Sequence, residues 1–244
     1  NLVLIDPDTL KIHNIVRHLC NLTDLGRYKV DAIAEKLSSI NPNIHLEKFK
    51  RDFIESYDMV VDKIIDADLM LISTDTPDSR MFTNSKSVEL KIPSVHISLS
   101  ERARSGMVYR IVPGITGCRS CIGFGRLEYE FVPGTTDYSG AKNDRDIYFQ
   151  PGMDTDISLV TMLGVKMAIS TLINPEAKVS PEYNANFLHW NGYQNEEEKS
   201  WLMYGDIEKK LDCDVCSSSN EESEKGILKS LIKKVGITLK SNKN

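Results

Sequence analysis

The chain has 244 residues, 41% of them hydrophobic and 27% charged, with a formal net charge of −5. That length can bury a sizeable core as one large or two small domains. The acidic balance argues against nucleic acid as the main ligand, because phosphate binders carry a basic excess or a basic face. No apolar run approaches ~20 residues and no secretory signal opens the sequence, so no membrane span and a cytoplasmic location are expected.

Residues 1–5 (NLVLI) read as a buried parallel strand, being short, apolar and rich in Leu, Val and Ile. Asp6-Pro7-Asp8 ends it, since proline cannot continue a central strand. The carboxyl edge of such a strand is where open α/β sheets bind ligands. Asn14, Arg17 and Lys29 follow within about twenty residues. An acid able to take ribose hydroxyls, followed by an amide and two cations, suits a nucleotide triphosphate better than a sugar or a lipid.

Val30, Ile33, Ala34, Leu37 and Ile40 fall at helical spacing, and Asn41-Pro42-Asn43 stops that helix. Residues 44–49 alternate like a strand, with Ile44, Leu46 and Lys48 on one face. A short helix over 57–67 leads to a second apolar strand at 68–73. Thr76 then suits an N-cap and Pro77 the first turn of a helix running to about Leu90. Residues 92–99 form another strand, and 107–112 alternate like a half-exposed one. The charged stretch 101–106 between them reads as a solvated turn.

Cys118, Cys121, Cys213 and Cys216 form two CxxC pairs separated by 91 residues. Four soft ligands satisfy tetrahedral Zn²⁺ and leave no position for a catalytic water, so the site is expected to be structural and to indicate a reducing compartment. Two redox dithiols or two disulfides are the alternatives. Cys20, the fifth cysteine, reads as a small buried thiol.

Residues 123–152 contain five Gly and two Pro and exceed an ordinary connection in length. Residues 156–174 form a helix with apolar positions over much of its circumference, expected to pack deeply with Met162 and Met167 in the core. Residues 185–191 and 200–205 look like closing strands whose Trp190 and Trp201 pack rather than stack on bases. After Cys216 the composition shifts to a polar linker at 217–225. Residues 226–244 then offer an amphipathic helix and tail in need of a partner surface.

The ordered set Asp6-x-Asp8, Asn14-x-x-Arg17 and Gly26-x-x-Lys29 resembles the adenylylating family of molybdopterin-synthase and thiamine-biosynthesis activating enzymes (ThiF/MoeB-like). That family includes the adenylation half of ubiquitin-activating enzymes. The spelling His13-Asn14-Ile15-Val16-Arg17-His18 is similar to the bacterial branch found beside ubiquitin-like conjugation genes.

The resemblance implies a Rossmann-like, mostly parallel α/β sheet with helices on both faces. A structural zinc site of four cysteines and a short antiparallel strand region would accompany it, with 1–216 as the adenylation domain. It implies that Asp6 holds the ribose, that Asn14, Arg17 and Lys29 contact ATP, and that Asp75 carries Mg²⁺. The implied reaction is ATP-dependent adenylylation of the C-terminal carboxylate of a ubiquitin-like or sulfur-carrier protein. A ubiquitin-conjugating-type protein or domain is a possible acceptor, and a homodimer is expected.

Two departures qualify the resemblance. No GxGxxG occurs in the sequence, so the family's Gly-rich strand–turn–helix is expected upstream of Asn1. Residues 123–156 contain no Cys, which puts thioester formation at the family's usual place in doubt. A non-catalytic zinc-stabilised partner subunit is the alternative reading. An NAD-dependent oxidoreductase ranks last, because it accounts for neither Arg17 and Lys29 nor the thiols.

Overall fold

A computed structural model describes residues 1–100, 103–122, 152–192 and 202–217. The expectations for 101–102, for the 123–151 crossover, for Trp201 and for the linker and helix beyond residue 217 lie outside these described residues.

Strand β1 (Leu2–Ile5) pairs in parallel with β2 (Leu46–Phe49), and α2 (Lys29–Ile40) connects them. Before α2 the chain makes a one-turn helix α1 (Ile12–Ile15) and a 3-10 turn at Leu22–Asp24. Helix α3 (Tyr57–Ile64) follows β2, then β3 (Met70–Ile72) and α4 (Pro77–Glu89). Thr76 caps α4 by accepting the Ser79 N–H, and Pro77 occupies the first helical turn as expected. Strands β4 (Ser94–Leu99) and β5 (Ser105–Ile111) precede α5 (Arg119–Ile122) and the long α6 (Asp154–Ile173). Strands β6 (Phe187–Asn191) and β7 (Leu202–Gly205) close the described fold.

The second sheet runs β3-β4-β5-β6-β7, separate from β1-β2. Only β3 and β4 are parallel in it; β4/β5, β5/β6 and β6/β7 are antiparallel, so the antiparallel part outweighs the short region expected.

Strand β5 corrects the half-exposed reading: Gly106 to Ile111 are all buried. Alternate residues serve two cores. Met107, Tyr109 and Ile111 pack with Cys118, Cys121, Cys213 and Cys216, with Val88 of α4 against the cluster. Val108 faces the other way, with Val95 and Ile97 of β4, onto Val160, Met167 and Ala168 of α6. Helices thus cover both faces.

Helix α6 approaches the sheet closely because Gly106 and Gly164 lack side chains. A Cβ at Gly106 would meet Val160 Cγ2 at 2.5 Å, and one at Gly164 would collide with Ile97. The helix is not packed all round, however. Met167 is buried, whereas Met162 is 60% exposed and Ile169, Leu172 and Ile173 are exposed with it, so Met162 is not the core residue expected.

Among described residues, α6 is the one helix long and apolar enough to cross a membrane. Its Val160, Gly164 and Met167 nonetheless lie buried against the sheet. Strands β1 and β3 are likewise less buried than their apolar composition suggested, with Leu2 and Leu71 exposed.

Candidate active site

Strand β1 delivers Asp6 to its carboxyl end, where the Asp6 N–H still extends the ladder by donating to the Phe49 carbonyl at 3.1 Å. Asp6 Oδ1 accepts the Asp8 N–H at 2.8 Å, which turns the chain sharply after the strand. The chain then runs beside the segment leading into α2. Leu10 N–H donates to Arg27 O and Gly26 N–H to Leu10 O, each at 2.8 Å. Gly26 has φ +80°, a left-handed conformation that glycine adopts without strain.

This strap places Lys29, the first residue of α2, against the loop after β1. Its N–H donates to Asp8 O at 2.9 Å. Its Nζ lies 2.6 Å from Asp8 Oδ2 and 3.7 Å from Asp6 Oδ2. Burial raises the Asp6 carboxyl above its ordinary range. The Asp8 N–H and Lys29 oppose that, while the nearby Asp8 and Asp75 carboxylates reinforce it. Asp75 is exposed just after β3, and its carboxylate is the weakest of the influences that raise Asp6.

Asn14 uses its Oδ1 locally: it accepts the Lys11 N–H at 2.9 Å and starts α1. Its Nδ2 is the group left to meet a ligand. Arg17 N–H donates to Asn14 O at 2.9 Å, so the residue sits on the turn leaving α1. Its guanidinium is partly buried, which lowers its pKa. His13 is lowered first by its own burial and then by Arg17, Lys11 and Lys29 together, so the expected cations act on one neighbourhood. Asp6, Asp8 and Lys29 are therefore brought together, Arg17 and Asn14 lie on the turn between them in the chain, and Asp75 reaches Asp6 only through its charge.

Two residues without a sequence-derived role belong to this cluster. Asp8 is the tighter partner of Lys29, and His18 lies in the field of Lys29 and Asp6. Cys20 is buried with Leu10, Ala32 and Ile33, and burial raises its thiol, as expected of an inert core cysteine.

The other four cysteines converge. Their sulfurs all lie within 4.8 Å of one another, and all four residues are buried. Cys118 Sγ is 3.6 Å from Cys213 Sγ, and Cys121 Sγ is 3.4 Å from Cys216 Sγ. A tetrahedral ion with metal–sulfur bonds of ~2.3 Å separates its sulfurs by about 3.8 Å, so this quartet fits one soft metal ion. No cysteine is in a disulfide.

Burial pushes the Cys213 thiol up, yet the Cys216 and Val215 N–H groups and the facing Cys121 and Cys118 thiols outweigh it and bring it down to about 7. Burial raises Cys118 and Cys216. The first pair is tied to the body by Arg119, whose N–H donates to Asn84 Oδ1 at 2.8 Å and whose Nη1 donates to Tyr109 Oη at 2.7 Å.

Residues 1–205 match the ThiF family. The chain belongs to the ThiF family. Ubiquitin-like modifier-activating enzyme 5 of Arabidopsis thaliana is 28% identical over 134 residues, covering 49% of this chain and 31% of that protein. The Drosophila melanogaster enzyme of the same name is 31% identical over 130 residues, covering 49% of this chain and 32% of that protein. This chain thus spans about a third of the length of these relatives.

The E. coli MccB crystal structure superposes with a TM-score of 0.63 at 19% identity, covering 88% of this chain and 58% of that one. MccB with ATP superposes at 0.60 with 17% identity, covering 88% and 58%. These likenesses establish the ThiF fold.

Proposed function

We propose that this chain adenylylates the C-terminal carboxylate of a ubiquitin-like or sulfur-carrier protein with ATP, activating it for transfer. The observation that carries the reading is the convergence of Lys29 on Asp6 and Asp8, with Asp75 acting on Asp6 from the end of β3. Its relatives' names as activating enzymes point the same way.

In the proposed reaction a carboxylate oxygen forms a bond to the α-phosphorus, and the bond from that phosphorus to the bridging oxygen breaks. Acyl-adenylate and pyrophosphate result. Negative charge accumulates on phosphate oxygens as this happens, and fixed cations aimed there lower the barrier. Arg17 can grip two oxygens at once, whereas Lys29 acts as a point charge. Lys29 would exchange part of its pairing with exposed Asp8 for the phosphates. Asp6 would orient the ribose, and Asn14 would offer Nδ2.

Asp75, with Asp6 nearby, supplies the hard oxygen ligands that Mg²⁺ takes. When bound, Mg²⁺ neutralises phosphate charge. Zinc held by Cys118, Cys121, Cys213 and Cys216 would pin the segment after β7 to β5 and would take no part in the chemistry, since four thiolates complete its coordination.

With Cys20 buried, the adenylate would pass to a nucleophile on a partner, such as the cysteine of a ubiquitin-conjugating-type protein. A homodimer in the cytoplasm is part of this reading. The test is ATP–pyrophosphate exchange by the full-length protein with candidate ubiquitin-like proteins. Exchange that depends on the protein's free C-terminal carboxylate supports it; ATP binding without exchange for any carboxylate-bearing partner counts against it.

A further inference from the structure

His18 follows Arg17 on the turn that leaves α1, and its ring is held in one tautomer. The Cys20 N–H donates to His18 Nδ1 at 3.2 Å, so Nδ1 carries the lone pair and the ring proton sits on Nε2. The anchor is firm because Cys20 is 3% exposed, packed among Leu10, Ala32 and Ile33. Nε2 has no hydrogen-bond partner among the described residues.

The groups that act on the ring include Lys29 and Asp6, the cation and the acid assigned to phosphate and ribose. Asp24 and Lys36 act on it as well, and burial is the largest influence, favouring the neutral ring. A neutral imidazole with a fixed N–H donor, next in the chain to Arg17, thus lies within the field of both the phosphate and the ribose groups of the proposed site. It can supply a directed hydrogen bond without adding a third positive charge next to Arg17 and Lys29.

We propose that His18 binds nucleotide by donating Nε2–H to an oxygen on the ribose–α-phosphate arm, an inference that rests on the ATP reading above. The competing role is purely local: the ring closes the 18–20 turn by accepting the Cys20 N–H and touches no ligand.

Two amide variants separate the roles by geometry. In His18→Asn the side-chain oxygen can stand where Nδ1 stands and keep the Cys20 N–H satisfied, but nothing reaches the Nε2 position. In His18→Gln the amide nitrogen can reach that position and offer an N–H there. Affinity for ATP with Mg²⁺ is measured by calorimetry on the full-length protein, with melting temperatures taken in parallel.

The expected order is His18→Gln within about threefold of the unaltered protein, and His18→Asn weaker by roughly tenfold or more at an unchanged melting temperature. Equal affinities in all three, or any other order, remove His18 from the nucleotide while leaving the ATP reading intact. Failure of the unaltered protein to bind ATP overturns the ATP reading itself, and His18's role with it.

Discussion

Replacing Cys216 with serine takes one thiol from the buried quartet and leaves Cys121 without its neighbour at 3.4 Å. The consequence follows from chain connectivity. A metal bridging Cys121 and Cys213 closes a loop of 91 intervening residues. A cross-link of that span removes about 4–5 kcal/mol of unfolded-chain entropy at 25 °C. That is a large part of the ~5–15 kcal/mol that holds a typical domain folded. For a chain of this size it corresponds to a fall in melting temperature of roughly 10–20 °C.

The quartet is also part of the core around Met107, Tyr109 and Ile111, so its disruption exposes one face of β5 to water. The assay pairs elemental analysis with thermal melting. The unaltered protein is expected to carry one zinc per chain, and Cys216→Ser to lose it along with that stability. A zinc chelator should move the unaltered protein towards the variant's melting temperature and leave the variant unchanged. Unaltered protein that carries no metal as purified, or that melts at the same temperature as Cys216→Ser before any chelator is added, would refute the reasoning.

Other substitutions probe the rim and the sheet. Asp6 is held above its ordinary carboxyl range, so the folded protein retains a proton that the unfolded chain gives up; stability therefore falls as pH rises through that window and stays level above it. Asp6→Asn, which keeps the oxygen that accepts the Asp8 N–H, should raise stability at neutral pH by a few tenths of a kcal/mol, about what a solvent-screened group contributes. The gain should vanish below the ordinary carboxylate range, and ATP affinity should drop; a variant less stable at pH 7 than at pH 3, relative to the parent, contradicts this. Gly164→Ala forces a methyl onto Ile97 and should cost about 1–3 kcal/mol in a denaturant melt, whereas an unchanged midpoint would show that α6 can shift outward. Arg17→Lys keeps the charge but not the two-pronged grip, so pyrophosphate exchange should fall well below the parent rate, and near-normal exchange argues against that role.

Much of this fold is legible where local chemistry decides it. Thr76-Pro77 starts α4 because capping and proline geometry are local, and the two CxxC pairs announce a four-sulfur site because few other uses need that spacing. What the sequence hides depends on distant segments. Strand β5 alternates like a surface strand, yet both faces are covered, one by α6 and the other by four thiols, two of them contributed from the far end of the chain. Helix α6 is apolar almost all round, and periodicity cannot tell that Met162 faces outward while Met167 faces in. At the rim, Asp6 and Lys29 stand out by residue type and order. The tighter Asp8–Lys29 pair spans 21 residues and is visible only once the strap beside β1 has formed. His18 belongs to the family-like stretch 13–18, but a role for its ring is visible only once the Cys20 N–H fixes it.

The central claim is that Lys29 and Asp75 serve one triphosphate from neighbouring segments of the rim. ATP–pyrophosphate exchange by the full-length protein with its ubiquitin-like substrate tests it directly, comparing Lys29→Met and Asp75→Asn with the parent. Each variant is expected to keep its melting temperature within a few degrees and to lose roughly 100-fold or more in exchange rate, the scale of removing one group that stabilises developing charge. Exchange at the parent's rate in either folded variant would contradict the account.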